Sequence, residues 1–473
     1  MKSKKISRRS LLRASLMGTA GAALAACVPA PAAPAAPAAA PVAPAAADPA
    51  KPAAAAPTDA PAPAAAGGTP VVYWFAWSNL EPAMKTIAAL PELKEALGGA
   101  PFEWKSGVGN DTVLTAVAGG TPPDGASNIN YVNFMAKGQF QDIGPRIAAS
   151  GVIKKDDFID ASWKNGSWKG VQYGVPAVEH FLNYGLNFNS QKVTEAGLDP
   201  TKPPETWAET LEWHKKLTKF DKAGNVEVVG LDPYDAMAGE TDFQGISFGF
   251  TPYDENTSKH DFNNPGMIDS FKTGAEFYKF VGPDKMVAMR QVEGQGGWGG
   301  SYNAGVQSML IEGYWHPGET AVQKPEIAKV NVASWAPVSD ARKGKKVQGI
   351  GGHFLPIFTG AKNPDGMWKF TEFMIGNKPC DIIFKEVGWL PSRKSYLTTI
   401  KADAYPGLKF YIDAATGATD WLPNFRRSPI HGFIQTQYQE LRDLVNRDKM
   451  SGDDAAAELQ KRTDTEWKNQ GLS

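Results

Sequence analysis

The stretch Trp168–Asn189, WKGVQYGVPAVEHFLNYGLNFN, constrains the fold more than any other part of the chain, because its residue pattern demands two strands joined by a corner. Asn165-Gly166 precedes it, between Trp163 and Trp168, and this dipeptide tolerates positive φ at both centres of a two-residue hairpin turn. A hairpin arm is therefore expected to begin there. Further on, Leu182, Tyr184, Leu186 and Phe188 alternate with Asn183, Gly185, Asn187 and Asn189, which puts an apolar stripe on one face and amides on the other, a half-buried strand. Between the two lies Val175-Pro176-Ala177-Val178-Glu179-His180. Pro176 has no N–H for a ladder, and an acid beside an imidazole in apolar surroundings needs a partner or water. Two readings stay open: an edge strand with a solvated Glu179, or a strand that crosses a cleft.

The first 26 residues carry Lys2, Lys4, Lys5, Arg8, Arg9 and Arg13 and no acid, followed by the small apolar run Ala14–Ala26. This pattern predicts an export signal. The run falls short of the ~20 residues that span a bilayer, and no later segment reaches that length. Ser7-Arg8-Arg9-Ser10-Leu11-Leu12-Arg13 resembles a twin-arginine export motif, and Leu24-Ala25-Ala26-Cys27 resembles a bacterial lipobox. Lipidation is expected at Cys27, which leaves Cys380 without an intrachain partner. Val28 to about Thr69 is an Ala/Pro tract with too little apolar bulk to fold. As a largely polyproline-like tether it would reach on the order of 100 Å. Removing the leader's six basic residues takes the formal net charge from −1 to −7, and an acidic mature chain argues against a nucleic-acid partner. The remaining ~400 residues exceed one ordinary core and predict two lobes.

The globular part begins as α/β. Val71–Trp77 is an apolar run of strand length that ends in polar Ser78-Asn79, and helical spacing follows in Met84, Ile87 and Ala88 and again in Val113, Leu114 and Val117. Thr206-Trp207-Ala208-Glu209 reads as a capping box and Ser451-x-x-Asp454 as a helix start. The last segments, with Ile434, Tyr438, Leu441 and Val445 and then Leu459 and Thr463, read as helices.

Two motifs suggest an enzyme and neither has the context it needs. Gly245-Ile246-Ser247-Phe248-Gly249 fits a nucleophile elbow but is flanked by Asp242, Gln244 and Thr251-Pro252 rather than by strand and helix patterns. Gly294-x-Gly296-x-x-Gly299 fits a dinucleotide fingerprint, yet no helix pattern opens at Gly299. No two of the six histidines have metal-motif spacing, so no cofactor or metal is implied. A secreted hydrolase would need paired carboxylates, for which Asp232, Asp235 and Glu240 are near one another in sequence.

Several segments stand in a telling order: Gly119-Gly120-Thr121-Pro122-Pro123-Asp124, Trp168–Pro176, Tyr184–Asn189, Pro204-Glu205-Thr206-Trp207, Ser308–Trp315, Gly351-Gly352, and Gly388-Trp389-Leu390-Pro391-Ser392-Arg393. Together they resemble the family 1 extracellular solute-binding proteins of ABC importers, the maltose-binding-protein-like receptors, from Val71 to the C-terminus. The resemblance implies an α/β, two-lobe, type II periplasmic-binding-protein fold with a ligand cleft between the lobes. Residues 70–176 plus 353–390 would form one lobe and 177–350 plus 391–473 the other. It also implies a monomeric, exported lipoprotein on the outer side of the cytoplasmic membrane, which captures a mono- or oligosaccharide and delivers it to a membrane permease. A polyol or polyamine receptor is the alternative within the family.

Sugar binding asks for aromatic faces and planar polar groups. Trp315 stands where the family carries a sugar-stacking tryptophan, and Trp298 is isolated among glycines in Gly296-Gly297-Trp298-Gly299-Gly300. Trp77, Tyr131 and Tyr234 are further aromatic candidates. Ser78, Asn128, Glu179, His180 and His353 are the hydrogen-bonding candidates, with Asn424–Arg427 as a loop opposite. Each of these hydrogen-bonding candidates reads equally well as a structural group, and the alternative for Trp315, the leading aromatic, is a core or hinge residue.

Overall fold

A computed structural model describes residues 68–290, 300–422 and 425–472, and residues Ala64–Ser473 form one compact unit. The leader, Cys27, most of the Ala/Pro tract, Trp298, the glycine fingerprint at 294–299 and Asn424 lie outside the described residues. Among the described residues no helix is long and apolar enough to cross a membrane.

Eight strands frame the molecule: β1 (Val71–Phe75), β2 (Phe102–Lys105), β3 (Gly125–Ser127), β4 (Gly174–Leu182), β5 (Gly185–Asn189), β6 (Met309–Glu312), β7 (Asn331–Ser334) and β8 (Ile350–Pro356). β1 lies between β2 and β3, parallel to both, with Val71 opposite Phe102 and Tyr73 opposite Gly125. Parallel neighbours need crossovers. Helices Glu81–Ala88 and Pro91–Ala96 supply the first and Asn110–Ala118 the second. Val71, Tyr73 and Phe75 bury themselves against Met367, Phe370 and Met374 in one core. A second sheet has β5 between antiparallel β6 and β7, and its Leu186, Phe188, Met309 and Ile311 join Trp207, Phe243, Phe271, Tyr438 and Leu459 in another core.

The capping box forms as expected: Thr206 caps the Trp207–Leu217 helix and Glu209 returns the bond to the Thr206 N–H. Ser451 likewise caps Gly452–Asn469. Two local expectations are corrected. Asn165-Gly166 ends the helix Asp160–Asn165 instead of turning a hairpin, because the Asn165 amide donates to Ile350 O at 2.8 Å and Gly166 packs against the Gly174 carbonyl. The hairpin turn falls at Lys169-Gly170, with φ of 47° and 83°. β5 is buried on both faces, since helices cover its amide side and Asn187 bonds Tyr411 Oη at 2.9 Å and Asn331 at 3.2 Å. Burial of an amide face is tolerable only when its groups pair with one another.

β4 and β8 form a separate antiparallel pair that links the cores. Val175, Ala177, Val178 and Leu355 pack with the first core, while Phe181, Leu182 and Ile350 pack in a cluster with Tyr314, Leu390 and Tyr411. The register shifts between Gly352 and Phe354. Opposite this irregularity Val178 has φ of 68°, a conformation that a β-branched residue adopts only when its surroundings impose it. Gly352 (φ 155°) lies so close to β4 that an added Cβ would overlap the Glu179 carbonyl and stand 2.6 Å from His180 Cα. Gly352→Ala is therefore expected to lower stability by about 2 kcal/mol, read from the midpoint of urea unfolding. An unchanged midpoint would mean that the crossing strands yield freely at this point.

Candidate functional site

A cavity of about 1000 Å³, open solvent included, is built where the strand ends converge. β1 and β3 open into it at their carboxyl ends through Trp77 and Asn128, as open parallel sheets commonly do. β4 contributes Glu179, the turn after it Asn183, and β8 Gly351–Phe354. The helix Trp315–Gln323 that follows β6 presents Trp315 and Glu319, one turn apart on the same face. Trp389 and the segment Phe425–Ser428 complete the wall.

Each of two cavity tryptophans is held by a carboxyl group. Trp315 Nε1 donates to Glu312 Oε1 at 2.6 Å, and Glu312 also accepts from the Met237 N–H at 3.2 Å. Trp389 Nε1 donates to Glu319 Oε1 at 2.7 Å. The Trp389 backbone approaches the Trp315 helix because Gly388 and Gly318 touch main chain to main chain, a contact that a Cβ on either residue would block.

Glu179 is 5% exposed and bonded to Tyr314 Oη at 2.9 Å. The Tyr314 hydroxyl has one proton and also faces Leu390 O at 3.0 Å. Both bonds are made together if Glu179 carries a proton and donates. Burial, then repulsion from Glu319, pushes Glu179 up to about 8 despite the Tyr314 bond. Burial likewise pushes Glu319 up to about 7, against its bonds from Trp389 and Asn79. His353 Nε2 is 4.0 Å from Glu179, but burial drives its pKa down to about 3, so it is a neutral neighbour. Asn183, 1% exposed, has neither side-chain oxygen nor nitrogen partnered among the described residues. A buried amide in that condition is poised for an incoming polar group.

The two arginines on the wall already carry their own acids. Arg426 forks onto Glu240 at 2.9 and 3.3 Å, and Arg427 onto Glu255 at 2.8 Å through two nitrogens. No group of His, Cys, Asp and Glu among the described residues could hold a metal ion.

Of the residues singled out in the sequence, Trp77, Asn128, Tyr131, Glu179, Trp315 and His353 meet around this cavity. Tyr131 serves largely as a brace: its hydroxyl accepts from the Asn128 and Phe354 N–H groups at 2.7 and 3.0 Å. Three others are placed elsewhere. Ser78 is exposed on the 3₁₀ turn Ser78–Leu80, whose three-residue repeat presents Asn79 to the cavity instead. His180 is fully buried behind Phe354, ring centroids 4.7 Å apart, because alternation along β4 points it away from Glu179. Tyr234 is 4% exposed within the helical core, under the Arg442 guanidinium at 4.6 Å. Ser247 is also structural: its hydroxyl accepts from Trp207 Nε1 at 2.8 Å and donates to Pro337 O at 2.9 Å on a helix. Sequence reasoning missed Asn183, Glu319 and Trp389, although the Asn183 alternation, the four-residue step from Trp315 and the Gly388–Arg393 turn each held a signal.

The parallel sheet, the crossing strand pair and the aromatic cavity define a two-lobe α/β solute receptor. A family model described as bacterial extracellular solute-binding protein matches residues 101–379, and the chain belongs to that family. No curated protein matches the chain. Among solved structures it is similar to CpMnBP1 with mannotriose bound, at 18% identity over 83% of this chain and 99% of that chain, TM-score 0.71. It is similar also to the ABC substrate-binding protein Lmo0181 from Listeria monocytogenes in complex with cycloalternan (15%, 85% and 99%, TM-score 0.68). A third likeness is the GacH receptor of Streptomyces glaucescens, unliganded and with acarbose (17%, 84% and 97%, TM-score 0.66).

The raised carboxyls give a pH dependence with a definite sign. Glu179 and Glu319 keep protons in the folded chain where the unfolded chain has released them, so their contribution to stability falls as pH rises from about 4.5 through about 7 and 8. Five histidines that burial holds below their ordinary pKa, His180, His214, His260, His316 and His353, act in the opposite direction up to about pH 6.5, so the effect is read as a difference: the urea midpoint of the wild type relative to Glu179→Gln is expected to drop between pH 5 and pH 8.5. A difference between the two proteins that stays constant across the range would contradict the protonated assignment.

Proposed function

We propose that this chain is the substrate-binding lipoprotein of an ABC importer, capturing a mono- or oligosaccharide by closure of its cleft. The observation that carries the reading is the joint presence of Trp77, Trp315 and Trp389 around one cavity with the unpartnered amide of Asn183. Tryptophan faces take up the C–H surface of a sugar, and buried planar groups bond its hydroxyls. The sugars named in the similar structures, mannotriose, cycloalternan and acarbose, agree with this class.

In this reading residues 70–176 plus 353–390 and residues 177–350 plus 391–473 are the two lobes. The β4–β8 pair joins them, and ligand contacts with both lobes favour the closed form. The sugar is released unchanged to the permease, so the protein is a receptor rather than a hydrolase. Of the three acids a hydrolase would recruit, Asp232 is engaged by Arg290 and Glu240 by Arg426 with His431, while Asp235 accepts from the Ala236 N–H and caps the turn Ala236–Gly239. The leader with Arg8-Arg9 exports the chain, Cys27 receives the lipid, and the Ala/Pro tract spaces a monomeric receptor from the outer side of the membrane.

Thermal unfolding of the full-length chain against a panel of mono- and oligosaccharides and polyols tests the reading. A ligand at about 100 times its dissociation constant adds about 2.7 kcal/mol to the folded state. A raised midpoint with one sugar class and unchanged sugar after incubation is the expected result. No rise with any compound, or turnover of the sugar, would contradict it. Trp315→Ala is expected to weaken that binding by about tenfold or more and also to lower the ligand-free midpoint, because Trp315 packs against three apolar clusters, so the affinity is read at a temperature where the variant is folded. Unchanged affinity would remove Trp315 from the site.

A further inference from the structure

The acidic and basic groups around the cavity do not pair off, and the excess of acids is localised. Arg426 and Arg427 are each forked onto a carboxylate, and His431 Nε2 lies 3.3 Å from the same Glu240 that holds Arg426. Glu179 and Glu319 have no such partner: among the described residues neither forms an ion pair with a lysine or arginine. The basic group nearest to Glu179 is His353, at 4.0 Å from its Oε2. His353 is itself buried beside Trp389, ring centroids 5.2 Å apart, and stays neutral. Glu312, behind Trp315, is a third buried acid with no ion pair to a lysine or arginine among the described residues. Among the described residues, the other polar groups bonded to the two cavity acids are uncharged: Tyr314, Trp389, Asn79 and the His353 N–H.

These two carboxyls share the cavity with three tryptophan faces, which attract cations electrostatically. Glu179 and Asn183 also stand beside consecutive glycines. A Cβ on Gly352 would be 2.7 Å from Glu179 Oε2, and one on Gly351 would be 2.7 Å from Asn183 Nδ2. The wall therefore presents an acid, a bare strand edge and an unpartnered buried amide side by side. A neutral sugar would leave both acids without a counter-charge. An ammonium group among them would let both ionise, and Asn183 would bond a neighbouring hydroxyl.

Resting on the receptor reading above, we propose that the cleft selects a sugar or cyclitol bearing a protonated amine, with the ammonium group at Glu179 and Glu319 and the ring against the tryptophans. Binding then exchanges carboxyl protons for the ligand's ammonium, which agrees with the raised pKa of both groups.

Calorimetric titration of the full-length chain tests this with stereochemically matched probes: glucose and glucosamine, galactose and galactosamine, mannose and mannosamine, and the β-1,4-linked dimers of glucose and glucosamine. An aminated probe is expected to bind at least about tenfold more tightly than its neutral counterpart. Its apparent enthalpy should change with the ionisation enthalpy of the buffer, reporting proton release, and its affinity should rise from pH 6 to pH 8. Glu179→Gln and Glu319→Gln, which keep shape and hydrogen bonding, should each erase most of that preference. Neutral probes binding as well as or better than aminated ones would overturn the proposal and leave the sugar-receptor reading standing. Binding by neither class would overturn both. A preference that survives both glutamine variants would also overturn the proposal, because the charge would then be read elsewhere.

Discussion

The antiparallel pairing of β4 with β8 is the contact on which the rest of the molecule depends. These strands draw one end of their apolar side chains into the core around β1 and the other into the cluster around Tyr314. Their irregular centre, with Val178 at φ 68° beside the Gly351-Gly352 pair, is also where Glu179 and His353 reach the cavity. Strain and recognition thus occupy the same few residues. A regular ladder would have carried β4 alternation through Glu179 and His180 without opening space against β8, and Gly352 is what admits the close approach.

Around that centre the cavity is organised by carboxyl groups that orient aromatic rings. Glu312 fixes Trp315 and Glu319 fixes Trp389, each through the indole N–H. Trp315 packs against three of the apolar clusters, which makes it a junction as well as a wall. Burying acids in this way raises their pKa, and the resulting destabilisation at high pH is the energetic counterpart of a site that awaits a ligand. Wall arginines tied to Glu240 and Glu255 contribute shape and rigidity with little net charge.

Much of the frame was legible from residue order. The parallel opening, the capping box at Thr206 and the helix start at Ser451 follow from periodicity and capping chemistry, which are local. The site was legible in part. Trp77 and Trp315 stand at strand ends, and Glu179 shares a segment with Pro176, so each could be named from its setting. Tyr234 had the right chemistry in the wrong place: only its packing beneath Arg442 assigns it to the core. Ser78 and Asn79 differ by one residue, and the turn that follows β1 decides between them.

The sequence by itself determined the α/β beginning, the strand-rich central stretch, the helical end, the basic leader and the family resemblance, since these rest on patterns a few residues long. Only the tertiary structure decided which polar groups remain without partners. Asn165 and Asn183 have the same side chain, yet Ile350 O satisfies one and no described residue satisfies the other. Glu240 and Glu179 are both buried acids, and one meets an arginine 186 residues away while the other meets a tyrosine. Such pairings join residues far apart in the chain, so no local pattern encodes them, and the charge and hydrogen-bonding balance of the cavity exists only once the chain has folded.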